Sequence, residues 1–252
     1  MGKKHPSDWQ NDACGEYQTR ARLPWPQMLL LLVGMPVKMR QSLVHSRAWV
    51  TWFLTASILL VSVLAWTQWH EPGLWENLVL THQHQGLLWW VGLAGYPFLH
   101  GDWLHLLGNL YFLLVFGRNI ECAFGRRRML WLFLFSSMAG GLLHTLFSTS
   151  GLIGASGGVF GLLVFYVLQF PQARVMWLPL GLAGRLVSLV LFREYLVKGF
   201  AVWIYLLLFG SLQLFILWEQ LYGQGQISAL AHIGGGVAGL IIWWGWRKGW
   251  LP

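Results

Sequence analysis

Charged side chains are scarce in this chain. Asp, Glu, Lys and Arg together make up 10% of its 252 residues, whereas hydrophobic residues make up 56%. Soluble domains carry about 25% charged residues, so this shortage excludes an ordinary water-soluble globular protein. With a mean hydropathy of +0.53, the sequence predicts an all-α protein that crosses a membrane several times.

Cysteine is also scarce, and metal-binding patterns are weak. The two cysteines, Cys14 and Cys122, fall in polar segments that we assign to the same cytoplasmic face, so no disulfide framework is expected. His82 and His84 form only a weak metal-ligand pair, which we interpret as solvated. We therefore expect neither a metal ion nor another cofactor.

Apolar stretches divide the chain into a tail and a membrane domain. A helix needs about 20 apolar residues to cross the hydrocarbon of a bilayer. The segment 28–35 is too short and is bracketed by prolines, so we predict an interfacial helix there. We assign residues 1–47 to a cytoplasmic tail, 48–247 to the membrane domain and 248–252 to a C-terminal tail. Six spans are predicted at about residues 48–66, 104–116, 129–147, 157–170, 200–217 and 230–246.

Lysine and arginine are missing from alternate connecting segments. Residues 67–103, 148–156 and 218–229 contain neither, whereas the remaining connections and both ends are basic. Basic loops favour the cytoplasmic side, so both termini are predicted to be cytoplasmic. The alternation explains the net charge of +8 as membrane topology, and we expect no nucleic-acid partner.

In this topology the second, fourth and sixth helices begin in one layer near the outer face. That layer contains His105 and Asn109 on the second helix, Ser156 before the fourth and His232 on the sixth. His105 and Asn109 are four residues apart, so they project from one face of their helix. Polar groups in membrane helices turn toward the protein interior, and interhelical hydrogen bonding is an alternative role for this pair.

The predicted fourth helix, residues 157–170, is short. It would span only about 21 Å at 1.5 Å per residue, against roughly 30 Å of hydrocarbon. The preceding loop, residues 148–155, is therefore predicted to dip into the membrane and place Ser156 below the outer surface. Irregular backbone at that depth must be buried in protein or line a wet cavity, so we expect the serine to reach water.

Small-residue pairs on the fourth and sixth helices predict close contact between their backbones. His232 lies on the same helix face as the second of these pairs. A serine and a histidine must come within about 2.6–3.2 Å to share a proton, and a close helix contact makes this possible. The pairs are Gly157 with Gly161 and Gly235 with Gly239.

Four short motifs stand out in the predicted membrane domain. They are HGDWLHLLGN at 100–109, FGRNIE at 116–121, GASGGVFG at 154–161 and AHIGG at 231–235. A lone G-x-S-x-G pattern would also fit a nucleophile elbow, but the strand that such an elbow requires does not precede Ser156. In their order and spacing, the four motifs resemble those of the rhomboid intramembrane serine proteases, over about residues 48–247.

The resemblance implies a six-helix bundle with a partly membrane-embedded first external loop and a Ser-His dyad that hydrolyses peptide bonds in or near membrane helices. It implies Ser156 as the nucleophile and His232 as the general base. It also implies that His105, Asn109 and the Ser156 backbone N–H stabilise the oxyanion. Phe160 stands where some members have tyrosine, and its ring is expected to stack beneath His232. The supporting residues are His100, Gly154, Gly157 and Phe160.

The implied partners are transmembrane protein substrates and the lipid bilayer. The implied location is a bacterial inner membrane, with the active site opening to the extracytoplasmic side. One alternative is a non-catalytic rhomboid-like protein that binds membrane clients or acts in quality control, although such a protein is expected to lack the dyad. Another is a small transporter, but no inverted repeat is visible in the sequence.

Overall fold

The computed structural model of this chain describes residues 37–38, 48–67, 73, 75–176, 200–222 and 227–251. It divides into two compact units. The larger contains residues 46–169 and 208–252, and the smaller contains residues 1–45 and 170–207. The interfacial helix predicted at 28–35 lies outside the described residues, as does most of the predicted tail.

Helices make up most of the described chain, in agreement with the predicted helical class. Two short 3₁₀ turns, Glu76–Leu78 and Tyr96–Phe98, flank α2, and a π-helical turn at Leu113–Gly117 joins α3 to α4. The helices are α1 (Trp49–Thr67), α2 (Leu87–Gly95), α3 (Trp103–Phe112), α4 (Arg118–Phe124), α5 (Arg126–Phe147), α6 (Ser156–Gln169), α7 (Val202–Leu221) and α8 (Ala229–Arg247).

Four of these helices, α1, α5, α7 and α8, are long and apolar enough to cross a membrane. Large apolar side chains on them face outward: Phe53 on α1 and Leu214 on α7 are each 70% exposed. Exposed apolar surface of this extent suits contact with lipid. The chain is thus a multi-pass membrane protein. The helix α6 has 14 residues and is shorter than these four, and the count of six spans remains a prediction.

Glycines bring α6 and α8 into direct backbone contact within the larger unit. The carbonyl oxygen of Gly157 occupies the space that a Cβ at position 235 would need. One helical turn further on, the carbonyl group of Gly161 meets Gly239 in the same way. Any larger side chain at these positions would push the helices apart. The predicted small-residue pairs therefore form the contact that fixes the beginning of α6 beside α8.

A buried carboxylate fastens the beginning of α1. Oε1 of Glu121 accepts the backbone N–H of Val50 at 2.9 Å. Oε2 accepts both the backbone N–H and the hydroxyl of Thr51 at 2.7 Å. The first N–H groups of a helix have no partner inside the helix, and a negative charge there also interacts favourably with the helix dipole. Glu121 thus ties α4 to α1.

The smaller unit contains a three-stranded antiparallel sheet that was not predicted. The strand β2 (Arg174–Met176) pairs with β1 (Val37–Lys38) on one side and with β3 (Phe200–Ala201) on the other. Strands of two or three residues are too short to show the alternation by which strands are recognised in a sequence. Helices form the rest of the described secondary structure.

Candidate active site

The loop before Ser156 is held by backbone hydrogen bonds to Leu80 and Tyr96. Leu152 and Leu80 exchange backbone hydrogen bonds of 2.9 and 3.2 Å, and the N–H of Gly154 donates to the Tyr96 carbonyl oxygen at 2.9 Å. Gly154 has φ of +112°, which suits a residue without a side chain. These bonds satisfy the irregular backbone from within the protein.

Ser156 is the first residue of α6. Ala155, which precedes it, is fully buried, so the chain enters the helix from inside the protein. The N–H groups in the first turn of a helix have no intrahelical partner, and they carry the positive end of the helix dipole. The hydroxyl and backbone N–H of Ser156 consequently lie where negative charge is favoured.

His232 lies in the first turn of α8, which begins after the N-cap Ser228. Its ring stacks on Phe160 with a centroid distance of 4.4 Å and an interplanar angle of 7°. The hydroxyl that a tyrosine would supply is not needed for this stacking. Phe160 therefore limits rotation of the imidazole on one side.

A hydrogen bond to a ring nitrogen also holds His232 in place. Its Nδ1 lies 2.6 Å from Oε1 of Gln213, a residue of α7. Both side chains are buried, and Gln213 is only 6% exposed. Gln213 was not predicted from the sequence, although an amide in the middle of an apolar membrane helix is a signal for a functional or interhelical contact.

One cavity of about 560 Å³ is lined by Ser156, His232, His105 and Asn109. Its aromatic wall consists of Phe112 on α3, Phe116 in the π-helical turn, Phe160 on α6 and Phe209 on α7. The structure thus brings together the four residues with predicted chemical roles, which are up to 127 positions apart in the sequence. Both Ser156 and His232 are described, and no hydrogen bond joins their side chains.

Behind the cavity wall, His100 organises a hydrogen-bond network. The Ser62 hydroxyl donates to the Phe98 carbonyl oxygen at 2.9 Å, so it accepts from Nδ1 of His100 at 3.0 Å. Nε2 of His100 then accepts from the Asn109 amide at 3.1 Å and from the Ala155 N–H at 3.4 Å. This network connects α1, α3 and the beginning of α6.

His100 is suited to this role only as a neutral ring, because Nε2 must accept. Burial, reinforced by the neighbouring His105, lowers the pKa of His100 from 6.5 to about 3. The ring therefore stays neutral throughout the physiological pH range. The predicted supporting residue is thus a hydrogen-bond acceptor behind the cavity rather than part of its lining.

The two predicted oxyanion donors differ in their present contacts. Nδ2 of Asn109 lies 3.1 Å from both His100 Nε2 and the His105 carbonyl oxygen, so both amide hydrogens are engaged. In the described part of the chain, no hydrogen bond engages the His105 ring, whose Cε1 and Nε2 occupy the space that a Cβ at Gly154 would need. Of the two predicted oxyanion donors, His105 is consequently the one whose side chain is free of hydrogen bonds to described residues.

His144 connects the two segments that carry the serine and the histidine. Its Nε2 donates to the Ser150 carbonyl oxygen at 2.9 Å, and its Nδ1 lies 2.7 Å from the Ser228 hydroxyl. That hydroxyl in turn accepts the N–H of Ala231 at 3.0 Å as the N-cap of α8. This imidazole therefore fastens the loop before Ser156 to the beginning of α8.

The sequence profile of the Rhomboid domain matches residues 88–249, which include every residue that lines the cavity. The chain belongs to the rhomboid family. Among similar proteins, RHOMBOID-like protein 2 of Arabidopsis thaliana is 38% identical over 89 residues, covering 35% of this chain and 26% of that protein.

Two further relatives share more of their length with this family member. Rhomboid-like protein 11, chloroplastic, of Arabidopsis thaliana is 26% identical over 177 residues, 67% of this chain and 56% of that protein. Rhomboid protein 1, mitochondrial, of Saccharomyces cerevisiae is 26% identical over 132 residues, 49% of this chain and 38% of that protein. The matched segments thus span less than two thirds of each relative.

Proposed function

We propose that this chain is an intramembrane serine endopeptidase that cleaves peptide bonds in or near the transmembrane segments of other membrane proteins. The observation that carries the proposal is the cavity shared by Ser156, His232, His105 and Asn109. A hydroxyl, a base held by stacking and a free donor that line one cavity are the groups that acyl transfer requires.

In the proposed reaction the Ser156 hydroxyl oxygen attacks the carbonyl carbon of the scissile bond, and its proton moves to Nε2 of His232. The tetrahedral intermediate collapses when the same nitrogen donates that proton to the leaving amine. Water then attacks the acyl-serine ester with His232 again as the base, which releases the second product and restores the hydroxyl.

The oxyanion that forms in the first step is proposed to bind between the backbone N–H of Ser156 and the His105 ring. The position of Ser156 at the beginning of α6 supports this, because a helix N-terminus favours negative charge. One preorganised oxyanion donor contributes about 10²–10³-fold to the rate. Asn109 joins as a third donor if its amide releases His100 or the His105 carbonyl oxygen.

The proposed topology has six spans with both termini in the cytoplasm, and the cavity opens toward the opposite face. The alternation of basic and non-basic connections supports it. The relatives named as chloroplastic and mitochondrial do not favour a bacterial inner membrane in particular, so the proposal concerns orientation rather than a type of membrane.

A second candidate function is a non-catalytic rhomboid-like protein that binds membrane clients. It is favoured by one observation, since the described side chains of Ser156 and His232 are not hydrogen-bonded to each other. Catalytic hydrogen bonds are often long before substrate binds, so this observation is also compatible with an enzyme.

The test is cleavage of a helical single-span substrate by purified protein in detergent or proteoliposomes. Parent protein is compared with Ser156→Ala and His232→Ala, and thermal unfolding is measured for each variant to check folding. Cleavage by the parent and loss of at least about 10³-fold in both variants is expected. Equal processing by all three folded proteins would leave the client-binding function as the better explanation.

A further inference from the structure

We propose that Gln213 is the third member of the catalytic arrangement: a positioning residue that accepts the Nδ1 proton of His232 and thereby leaves Nε2 free to act as the base. This inference rests on the proposed proteolytic function. It adds a residue from α7 to a dyad whose two members lie on α6 and α8.

The orientation of the Gln213 amide follows from its second contact. Its Nε2 lies 3.2 Å from the carbonyl oxygen of Phe209, one turn earlier on the same helix. Only the NH₂ group can bond to a carbonyl oxygen, because an amide oxygen in that position would face another acceptor. Oε1 must therefore be the atom that lies 2.6 Å from His232.

The protonation of His232 follows from the orientation of the amide. An amide oxygen is only an acceptor, so Nδ1 of His232 must carry a hydrogen. A neutral imidazole has one N–H, so Nε2 carries the free electron pair. Nε2 is the nitrogen that must receive the Ser156 proton. Stacking on Phe160 restricts tilting of the ring while the hydrogen bond to Gln213 restricts its rotation.

An amide suits this buried position better than a carboxylate would. Gln213 and His232 are 6% and 7% exposed, and leaving a charge unpaired at such a site is costly. A neutral acceptor orients the ring at lower cost and still stabilises the imidazolium that forms when the serine proton is transferred. The resemblance to rhomboid proteases implied a Ser-His dyad without an acid, and in this proposal an amide oxygen occupies the place of the acid.

The substitutions that test this role are Gln213→Met and Gln213→Glu. Methionine has nearly the shape of glutamine but cannot accept a strong hydrogen bond, whereas glutamate restores an acceptor. Leu212→Met is the matched control, because the same side chain is introduced at the neighbouring position, which is 47% exposed. All proteins are assayed for cleavage of one single-span substrate and for thermal unfolding.

We expect Gln213→Met to lower kcat by about 10–100-fold with KM within about twofold of the parent, because the base loses its orientation but the cavity is unchanged. Gln213→Glu should recover at least about tenfold over the methionine variant, and Leu212→Met should match the parent. Parent-like kcat in Gln213→Met would overturn the inference and leave proteolysis intact. Equal losses in both Gln213 variants with lowered thermal stability would also overturn it, since they indicate a packing role only.

Nuclear magnetic resonance of ¹⁵N-histidine-labelled protein gives a readout that does not depend on activity. The His232 signals are assigned by their loss in His232→Ala. The parent should contain the Nδ1–H tautomer, and Gln213→Met should show a mixture of the two tautomers. An Nε2–H tautomer in the parent would refute the role of Gln213 whether or not the protein cleaves substrate. A parent that keeps the Nδ1–H tautomer but neither cleaves nor reacts at Ser156 would instead refute the proposed function.

Discussion

Replacement of Gly235 by alanine tests whether contact between α6 and α8 sets the geometry of the proposed active site. The carbonyl oxygen of Gly157 occupies the space that the new Cβ needs. Carbon–oxygen contacts normally lie at about 3.3–3.6 Å, so the helices must move apart by on the order of 1 Å. Gly235 lies three residues after His232 on one helix, and Gly157 directly follows Ser156 on the other, so this movement separates the proposed nucleophile from the proposed base.

The expected result has two parts. Overpacking of a tight contact costs about 1–3 kcal/mol, so Gly235→Ala should lower the thermal unfolding temperature. A misplacement of about 1 Å costs about 10²-fold in rate, so cleavage of a single-span substrate should fall by about that factor at a temperature where the variant is folded.

The same helix offers a matched control. A Cβ at Gly236 would meet only the end of the Val164 side chain, with Cγ2 at 3.3 Å, and that side chain can move slightly. Gly236→Ala should therefore remain close to the parent in both unfolding temperature and cleavage rate. If Gly235→Ala and Gly236→Ala behave alike, close contact between α6 and α8 does not set the geometry of the active site.

Three further predictions concern Glu121, His100 and Gly154. Glu121→Gln leaves one acceptor oxygen for the donors of α1, including both donors of Thr51. The free energy of unfolding, measured by heat or denaturant, should therefore fall by about 1–3 kcal/mol. An unchanged unfolding transition would contradict the capping role. Because the pKa of His100 is about 3 in the folded protein and 6.5 is its ordinary value, the unfolded chain binds the proton first as pH falls, so stability is lost below about pH 6.5. At pH 5 this loss is about 2 kcal/mol, and it should be smaller in His100→Gln than in the parent. Gly154→Ala combines backbone strain at φ +112° with a clash against the His105 ring. Because the clash displaces one proposed oxyanion donor, the rate of cleavage should fall by about tenfold or more. Parent-like cleavage would show that the position of Gly154 against His105 does not matter for the reaction.

Much of the fold could be predicted because the bilayer imposes simple rules. The helices α1, α5, α7 and α8 begin and end close to the predicted apolar stretches, since hydropathy and the hydrocarbon thickness set their length. The predicted second span differs more, because α3 continues through a π-helical turn into α4. The small sheet carries no periodic signal, and the pairing of its strands depends on contacts between distant segments.

The candidate site was predictable only where the chemistry depends on residue type. Ser156, His232 and His105 could be selected because polar residues are rare in such helices and because they share a predicted depth. The contacts of His100 and the role of Gln213 depend on hydrogen-bond geometry between helices, for which a single sequence holds no spacing rule. Gln213 is 19 residues from His232 on a different helix, and only the fold reveals which ring nitrogen it meets.

Reaction with a fluorophosphonate is the sharpest test of whether Ser156 is an activated nucleophile, since it requires no knowledge of the natural substrate. Purified protein in detergent is treated with the reagent, and the adduct is located by mass spectrometry. We expect one adduct at Ser156 and labelling slowed by at least about 10²-fold in His232→Ala. Folded protein that stays unlabelled at Ser156, or equal labelling in His232→Ala, would contradict the proposed Ser-His chemistry.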